Sequence, residues 1–282
     1  MSSKKSKSFT KRILVAGGAG SIGSELVRQL SKVHKVYVLD QNESGVFDLT
    51  DELKGKNVWG RVGDIRGYKT VKDVFDDFKP QIIFNCAALK HVPLMEYTPL
   101  EAIQTNVLGH YNLIHVSKTL ECVEKFVYIS TDKVVSSMSI MGATKRLGEI
   151  ITLNQGKGFI VVRFGNVMDS RGSLLRIWQR QINNGEPITI TDERMERYFM
   201  TIPEAVNLVI KASEEGTGGE IFCLDMGKKV NINKLAEEIL GKVGGTKKII
   251  GLRDGETLTE ELMTKEEESR AIKKDNNFWV IK

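Results

Sequence analysis

The stretch Arg12-Ile-Leu-Val-Ala-Gly-Gly-Ala-Gly-Ser-Ile-Gly23 places a short apolar run directly before glycines spaced G-x-x-G-x-x-G. The apolar run predicts a buried β-strand, and the residues after the glycines predict a helix. Gly17 and Gly20 permit a tight turn and a close approach of the backbone to a pyrophosphate, while Gly23 permits close helix packing. The helix N-terminus favours the anion. This stretch therefore predicts a dinucleotide-binding strand-turn-helix unit.

An acidic residue follows the glycines at the end of the second predicted strand, Val36-Tyr-Val-Leu39. Asp40 is placed to accept hydrogen bonds from a ribose diol, and its charge repels a 2′-phosphate. It favours NAD as the cofactor, with NADP as the alternative. Asp64 and Ile65 follow a third predicted strand and are placed to flank the adenine. Asp64 is equally well explained as an ordinary loop aspartate.

Strand and helix patterns alternate along the first part of the chain. Three further apolar runs predict strands over residues 81–85, 125–129 and 158–164. Apolar residues at helical spacing predict an amphipathic helix over Lys69 to Phe78 and a long helix over Leu100 to Leu120. This alternation predicts an α/β fold, a Rossmann-like doubly wound parallel sheet with helices on both faces.

The regular alternation ends near Asn166, which predicts a domain boundary. We expect an NAD(P)-binding Rossmann domain over residues 11–166 and a smaller C-terminal α/β substrate-binding lobe over 167–268, whose strands could return to the main sheet. Residues 269–282 are expected to form a solvated tail, in which Phe278-Trp-Val280 are candidates for docking. Residues 1–10 are expected to form a disordered basic arm.

The composition narrows the class of protein. The net charge of +5 over 282 residues comes from basic residues near the N-terminus, and without them the chain is neutral, so no nucleic-acid partner is expected. Cys86, Cys122 and Cys223 are widely spaced, which argues against a disulfide framework or a zinc site and favours a reducing, cytoplasmic location. No apolar run approaches the ~20 residues of a membrane span, so no integral membrane segment is expected. No metal site is expected either, because no His, Asp or Glu cluster has ligand spacing.

The glycine spacing, the stretch Asn85-Cys-Ala-Ala88 and a lysine at position 145, early in a helix after the fifth strand, resemble the extended short-chain dehydrogenase/reductases. Longer motifs are similar to the nucleotide-sugar 4,6-dehydratases of bacterial and archaeal polysaccharide biosynthesis, which act on UDP-N-acetylglucosamine. The resemblance extends from Lys11 to about Glu268. It is carried by Ala87-Ala-Leu-Lys-His-Val-Pro-Leu-Met-Glu96, Thr105-Asn-Val-Leu-Gly109, Ser130-Thr-Asp-Lys133, Met141-Gly-Ala-Thr-Lys-Arg146, Arg163-Phe-Gly-Asn-Val167, Arg171-Gly-Ser173, Arg197-Tyr-Phe-Met-Thr-Ile-Pro-Glu-Ala205, Leu224-Asp-Met-Gly227 and Gly251-Leu-Arg-Asp-Gly-Glu256.

The resemblance implies a reaction in which the sugar C4 hydroxyl is oxidised, water leaves across C5 and C6, and the hydride returns to C6. It implies that Asp132 is the acid for the C6 hydroxyl and that Lys133 is the base at C5, with C5 epimerisation as a further outcome. Thr131 would bind the C4 oxygen, and Lys145 would hold the nicotinamide ribose. Lys133 must be neutral when it acts, which predicts a pKa lowered by burial or by a neighbouring cation. The alternative is that Asp132 and Lys133 form an ordinary surface pair in a loop, which their position at a strand end argues against.

Met141 departs from the usual pattern of the superfamily, which carries a tyrosine four residues before the lysine. A thioether cannot accept the proton of the C4 hydroxyl. Some 4,6-dehydratases of the family also carry Met there, so activity need not be lost. The proton would go to Asp132, to Lys133, or through water and Thr131, and the sequence leaves this choice open. A Met141 that only packs, in an inactive protein, is the alternative.

The resemblance also implies the residues that bind the ligands. The expected cofactor contacts are Gly17, Gly20, Ser21, Ile22, Gly23, Asp40, Asp64, Ile65, Ala87, Lys145 and Val167. The expected substrate contacts are Lys90, Asn166, Arg197, Arg253 and Glu256. Arginines suit a diphosphate, although Arg197 could instead form a structural ion pair. A homo-oligomer is expected through helices near residues 100–120 and 140–154.

Three functions follow from these patterns. The first is a UDP-N-acetylglucosamine 4,6-dehydratase that uses NAD or NADP. The second is a C4 epimerase of UDP-sugars, against which the Asp132-Lys133 pair argues, because an epimerase needs no proton chemistry at C5 or C6. The third is an NAD(P)-binding regulatory protein that has lost catalysis with Met141.

Overall fold

The computed structural model describes residues 10–275 and 277–282, so the predicted basic arm, except for Thr10, lies outside the described residues. The strands are β1 (Arg12–Ala16), β2 (Lys35–Asp40), β3 (Val58–Val62), β4 (Ile82–Asn85), β5 (Lys125–Ile129), β6 (Phe159–Arg163), β7 (Asn166–Val167), β8 (Ile188–Ile190), β9 (Glu196–Arg197), β10 (Phe199–Met200), β11 (Glu220–Leu224), β12 (Val230–Asn231), β13 (Lys247–Ile249), β14 (Ile272–Lys274) and β15 (Phe278–Ile281). The helices are α1 (Ser21–Leu30), α2 (Glu43–Glu52), α3 (Tyr68–Phe78), α4 (Val92–Tyr97), α5 (Pro99–Ala102), α6 (His110–Ser117), α7 (Ile140–Leu153), α8 (Leu174–Asn183), α9 (Ile202–Glu215), α10 (Ile232–Val243) and α11 (Lys265–Arg270).

Nine strands form the central sheet in the order β3–β2–β1–β4–β5–β6–β11–β15–β14. In this order, every pair of neighbouring strands from β3 to β11 is parallel. Successive residues of β1 face opposite sides: Ile13 and Val15 pack into one core, and Leu14 and Ala16 into the other. A strand buried on both faces needs an unbroken apolar run, which is what β1 has. The predicted Rossmann-like doubly wound α/β fold is confirmed.

The C-terminal part of the chain returns to this sheet. Strand β11 pairs with β6 in parallel, and β15 pairs with β11 in the antiparallel sense. Phe278, Val280 and Ile281 are buried, and the Phe278 ring packs edge-on against Phe222 with 5.1 Å between the ring centroids, within the range of roughly 4.5–7 Å that is usual for aromatic pairs. The structure therefore places much of the segment expected to be a solvated tail inside the sheet, because its alternate apolar residues complete the core.

A smaller lobe lies beside the sheet and carries short strand pairs, β7 with β10, β8 with β13 and β9 with β12. Its own core contains Trp178, Ile188, Ile190 and Ile232. The indole N–H of Trp178 donates to the Thr189 carbonyl at 2.8 Å, which joins α8 to β8. Strands of two or three residues are too short to show a clear period in the sequence.

The long helix expected over residues 100–120 is interrupted. Its middle, Ile103–Gly109, is a π-helical segment between α5 and α6, and α6 ends at Ser117. The buried Asn106 side chain exchanges two hydrogen bonds with the Leu89 backbone, at 2.8 and 2.9 Å. The widened turn thus aims an amide at the loop after β4, a use typical of π-segments near functional sites. No helix in the described part of the chain is long and apolar enough to cross a membrane.

A buried ion network joins β6, α7 and α11. The guanidinium of Arg163 has no exposed surface and binds Glu149 through two hydrogen bonds at 3.0 and 2.8 Å. It also binds Glu267 at 2.9 and 3.1 Å. Glu149, itself without exposed side-chain surface, accepts a further hydrogen bond from the Ser130 hydroxyl at 2.7 Å. The network therefore connects helix α7 to the end of strand β5.

Candidate active site

The turn between β1 and α1 can be built only with glycine at two of its positions. Gly17 has a φ of +74°, and a Cβ there would lie 2.5 Å from the Ala87 nitrogen. A Cβ on Gly23 would lie 2.2 Å from the Gly17 carbonyl oxygen, while one on Gly20 would meet that oxygen at 3.1 Å. The helix thus starts directly against the strand, and its first amides open toward the carboxyl edge of the sheet. This is the cradle that a pyrophosphate needs.

Asp40 supports this turn. Its carboxylate accepts hydrogen bonds from the Ala19 amide at 3.0 Å and from the Asn42 amide at 2.9 Å. Asp64 is engaged by Arg66, through the backbone amide at 2.8 Å and the guanidinium at 2.6 Å. This geometry agrees with an ordinary loop aspartate at position 64, whereas the place of Asp40 beside the glycines suits a ribose.

One continuous cleft of about 600 Å³ runs from the glycine turn to the smaller lobe. The predicted residues that line it are Gly17, Gly20, Ser21, Ile22, Gly23, Lys90, Thr131, Lys133, Met141, Lys145, Asn166, Val167, Arg197, Arg253 and Glu256. The predicted residues that do not line it are Asp40, Asp64, Ile65, Ala87 and Asp132. Ile65 is buried in the core under α3 and α6, so only its backbone remains for a ligand.

The residues after β5 form a single tight helical turn, Asp132–Val134, at the centre of the cleft. Thr131 begins this turn, and its hydroxyl donates to Asp132 Oδ1 at 3.0 Å. The Asp132 side chain is fully buried, and its Oδ2 has no hydrogen-bond partner among the described residues. Lys133 Nζ donates to Asp132 Oδ1 at 3.0 Å and to Asn166 Oδ1 at 3.1 Å. The strand end therefore gathers a hydroxyl, a carboxyl group and an amine within hydrogen-bond distance.

Glu260 completes this cluster and was missed by the sequence analysis. Its Oε2 accepts from Lys133 Nζ at 3.0 Å, and its Oε1 pairs with Arg197 Nε at 3.2 Å. Burial raises the pKa of Glu260 to about 7, with the nearby Lys133 and Arg197 acting against that rise and Asp132 adding to it. Its only signal was an acidic residue shortly after the Gly251–Glu256 motif, which is too common to single out.

The predicted lowering of the Lys133 pKa is wrong for this arrangement. Burial lowers the pKa of Lys133, but the Asp132 and Glu260 carboxyl groups outweigh burial and leave it raised. A sequence cannot show the second carboxyl group, since Glu260 lies 127 residues away. An ammonium form of Lys133 is thus favoured in the protein as it stands.

Arg197 lines the cleft, but most of its donors are used within the protein. Besides the pair with Glu260, its guanidinium donates to the carbonyls of Glu196, Leu258 and Thr257 at 2.6–2.9 Å. The structural ion pair that the sequence analysis kept as the alternative is therefore present. It holds the loop that carries Glu260 against the smaller lobe.

Helix α7 places Met141 and Lys145 on the wall of the cleft. Lys145 Nζ donates to the Ile129 carbonyl at 2.5 Å and lies 4.0 Å from the centroid of the Tyr128 ring. Burial lowers the Lys145 pKa to about 7, and the charge of Glu149 acts against this. Met141 is buried and packs with Val92, Met95 and Ala102.

No tyrosine takes the place that Met141 occupies. Among the described residues that line the cleft, none is a tyrosine. Tyr128 is close to Thr131 in the sequence, but its hydroxyl is buried against Gly148 of α7. This hydroxyl has no hydrogen-bond partner among the described residues. Burial and the charge of Glu149 raise the Tyr128 pKa well above its usual range. Tyr128 is therefore unsuited to act as a base.

Loops that carry Lys90, Ser170, Arg253 and Glu256 also line the cleft. Lys90 Nζ donates to the Ser170 hydroxyl at 3.3 Å, and burial and the charge of Lys133 lower its pKa. Arg253 and Glu256 lie in a loop packed against α4 and the start of α7, and their side chains approach to 3.9 Å. Within the described part of the chain, no group of three or more His, Cys, Asp or Glu residues is arranged to hold a metal ion.

The loop after β7 reaches across to the glycine turn. The Arg171 amide donates to the Ser21 hydroxyl at 3.0 Å, so the smaller lobe touches the first residue of α1. Ser173 precedes α8 and lines the cleft. Its hydroxyl is buried and has no hydrogen-bond partner within the described part of the chain. Both residues belong to the Arg171-Gly-Ser173 motif, from which the sequence predicts no individual role for either of them.

Together, the sheet order, the glycine turn and the lysine on α7 define an extended short-chain dehydrogenase/reductase. Residues 13–282 match the family described as "Polysaccharide biosynthesis protein", and the chain belongs to this family. It is 44% identical over 275 residues to the capsular polysaccharide biosynthesis protein CapD of Staphylococcus aureus, covering 91% of this chain and 46% of CapD. The chain thus spans about half the length of that relative. It is 33% identical to a UDP-glucose 4-epimerase of Rickettsia bellii, covering 96% of this chain and 82% of the epimerase.

Solved structures share the fold. The X-ray structure of Pen from Bacillus thuringiensis superposes with a TM-score of 0.89 at 34% identity, covering 96% of this chain and 87% of Pen. DesIV, a dTDP-glucose 4,6-dehydratase from Streptomyces venezuelae with NAD and TYD bound, superposes with a TM-score of 0.80 at 22% identity, covering 92% of this chain and 90% of DesIV. The second likeness concerns the fold alone.

Proposed function

We propose that the protein is a nucleotide-sugar 4,6-dehydratase that uses NAD and converts UDP-N-acetylglucosamine to a UDP-4-keto-6-deoxy-N-acetylhexosamine. The observation that carries this proposal is that Thr131 and Lys133 line the same cleft as the glycine turn and Lys145, with the buried Asp132 carboxyl group hydrogen-bonded to both of them. Oxidation at C4 alone needs no second acid-base pair. A buried carboxyl group and an amine at the strand end supply the proton chemistry at C5 and C6 that elimination requires.

The residues fit the dinucleotide. Glycine at positions 17 and 23 lets the start of α1 lie directly against β1 and the loop after β4, because a Cβ at either position would collide with backbone atoms, and Asp40 lies at the end of the neighbouring strand. When bound, NAD supplies the hydride acceptor for C4 and the hydride for C6. Lys145 holds the nicotinamide ribose through its buried amine. Asp40 favours NAD over NADP because its carboxylate repels a 2′-phosphate.

In the proposed reaction, the Thr131 hydroxyl binds the C4 oxygen and Lys133 removes the C5 proton. We assign to Asp132 the proton for the departing C6 hydroxyl, since its carboxyl group is hydrogen-bonded to Thr131 and Lys133, which line the cleft. We assign Lys90 and Arg253, which line the same cleft, to the diphosphate and uridine of the substrate. A lysine and an arginine both suit phosphate oxygens.

A C4 epimerase of UDP-sugars is the second candidate, and the sequence identity to the Rickettsia epimerase favours it. Incubation of the protein with UDP-N-acetylglucosamine, followed by mass spectrometry, separates the candidates. Loss of one water from the nucleotide sugar supports dehydration. An isomer of unchanged mass supports epimerisation, and an unchanged substrate with the dinucleotide still bound supports a regulatory protein. NMR of the product gives the configuration at C5.

Met141→Leu is expected to keep most of the dehydratase activity, with less than about a 3-fold loss, because the side chain packs in an apolar cluster and a Leu of similar volume fills it. Turnover measured by loss of water checks this. Met138→Leu, at an exposed position on the rim, is the matched control. A loss of turnover of 10-fold or more at position 141 alone would give the thioether a chemical role.

The expected homo-oligomer also belongs to this proposal. Leu100, Leu108, Tyr111, Leu147 and Ile150 are exposed apolar side chains on the outer faces of the helical segments from α5 to α7. Leu108→Glu is expected to convert a dimer to a monomer in sedimentation analysis, because a charge would be buried at the contact. Ile272→Glu, at an exposed apolar position on edge strand β14, is the control. If wild-type protein sediments as a monomer, the oligomer prediction is wrong.

A further inference from the structure

Every hydrogen-bond donor of the Lys133 ammonium group is in use. Its Nζ lies 3.0 Å from Asp132 Oδ1, 3.1 Å from Asn166 Oδ1 and 3.0 Å from Glu260 Oε2. An ammonium nitrogen has three donors and no acceptor. In this arrangement, Lys133 has no lone pair with which to take a proton from a substrate. Lys133 must first lose a proton, either to one of these three partners or to the solvent that reaches its partly exposed side chain.

The three partners differ in what they can do. The Asn166 amide oxygen does not take up a proton near neutral pH. In the proposed reaction, Asp132 is needed as the acid for the C6 hydroxyl, and its Oδ1 also accepts from the Thr131 hydroxyl. Glu260 remains, and its Oε2 faces Lys133 directly while its Oε1 is held by Arg197. The pair of contacts fixes the Glu260 carboxyl group in line with the Lys133 amine.

We propose that Glu260 is the positioning residue that accepts the Lys133 proton and so leaves Lys133 as the free amine that removes the C5 proton. This inference rests on the proposed dehydratase function. In the first transfer, an N–H bond of Lys133 breaks and an O–H bond forms on Glu260, so an ion pair becomes a neutral pair. In the second, the C5–H bond breaks and an N–H bond forms on Lys133, while the electron pair of that C–H bond expels the C6 oxygen, protonated by Asp132, as water.

The surroundings make the ionised Glu260 carboxylate a stronger proton acceptor than an ordinary carboxylate, although the raised pKa of Lys133 opposes the transfer. The charged groups that face it are Asp132 and Lys133 from the turn after β5 and Arg197 from β9. Burial is the largest influence and raises the Glu260 pKa to about 7, although the two cations oppose it. The neutral pair of amine and carboxylic acid needs less solvation than the ion pair, and a substrate that fills the cleft and excludes water would favour it further.

The test compares Glu260→Gln with Glu260→Asp and with Glu261→Gln. Glu261 is the adjacent residue, is exposed and pairs with Lys229 on the surface, so its amide variant is the matched control. Turnover of the wild type is expected to rise with pH to a plateau above about 7. Glu260→Gln is expected to lose about 10- to 100-fold of turnover at neutral pH and to regain it steadily as pH rises, because the Lys133 proton must then leave to solvent.

Glu260→Asp retains a carboxyl group and is expected to keep the plateau, at lower turnover. A purely structural role of Glu260 would lower turnover by the same factor at every pH, and that result overturns the proposal. Thermal melting of each variant with NAD present identifies any variant that fails to fold. For such a variant, the spectroscopic test on the wild type decides.

Infrared difference spectra of the wild type, recorded between about pH 6 and about pH 8 to span the expected titration, give a readout without turnover. We expect a band of a protonated carboxylic acid that is present in Glu261→Gln and absent in Glu260→Gln. Absence of such a band from the wild type overturns the proposal even if the enzyme removes water. A band without any loss of water from UDP-N-acetylglucosamine would instead refute the dehydratase function while leaving the proton on Glu260.

Discussion

Replacing Lys133 by alanine is expected to abolish dehydration of UDP-N-acetylglucosamine, by about 10³-fold or more, and to leave the dinucleotide bound. Lys133 is the amine nearest to Asp132 in the cleft, and it lies apart from the glycine turn that cradles the pyrophosphate. Mass spectrometry of the product gives the loss of activity, and the absorbance of the bound dinucleotide shows whether the cofactor site is intact.

Two controls accompany this experiment. Lys72→Ala removes a surface lysine that pairs with Asp76 and should leave turnover unchanged. Thermal melting of Lys133→Ala is also required, because the change leaves the buried carboxyl groups of Asp132 and Glu260 without one of their cations. A folded Lys133→Ala protein that still removes water at the normal rate would assign the C5 base to another residue.

Glu149→Ala is expected to reduce the free energy of unfolding by about 3–5 kcal/mol, because it leaves a buried charge only partly compensated. Arg163 has no exposed side-chain surface and would keep Glu267 as its one carboxylate partner. Ser130 would also lose its acceptor. Urea unfolding followed by circular dichroism measures the change. Glu266→Ala, at an exposed position in α11 with a weak pair to Arg270, should stay within about 0.5 kcal/mol of the wild type.

A loss of less than about 1 kcal/mol in Glu149→Ala would show that Glu267 alone satisfies Arg163. The same variant also tests the influence of Glu149 on the cofactor-holding lysine. The charge of Glu149 raises the Lys145 pKa against burial. Without the charge of Glu149, the Lys145 pKa should fall below its value of about 7. The pH dependence of dinucleotide affinity should then shift to lower pH.

The inner strands of the sheet could be predicted because they are buried on both faces, and such strands need unbroken apolar runs such as residues 13–16. The pairing of strands in the smaller lobe could not be predicted, since strands of two or three residues are too short to show a clear period. The break in the helix over residues 100–120 depends on Asn106 reaching the Leu89 backbone, a contact between distant segments. The strand Phe278–Ile281 looked like a tail because its partner β11 is far away in the chain.

The candidate site could also be predicted only in part, because some of its residues are adjacent in the sequence and others are not. Thr131, Asp132 and Lys133 are consecutive residues at a strand end, so the sequence alone brings them together. Glu260 reaches them from a loop of the C-terminal part, and only the folded chain places it there. Asp132 and Glu260 together raise the Lys133 pKa against burial, and only Asp132 is its neighbour in the sequence. Charges from distant segments therefore limit how far a sequence can predict the chemistry of a buried site.

The hydrogen bond between the Arg171 amide and the Ser21 hydroxyl has a kinetic consequence. It links the loop after β7 to the first residue of α1, so we expect this bond to slow the release of a dinucleotide bound at the glycine turn. In the proposed arrangement, a sugar nucleotide bound away from that turn would not be held by it. The dinucleotide should therefore stay through many catalytic cycles while sugars exchange, which suits a reaction that returns its hydride to the same molecule before each product departs.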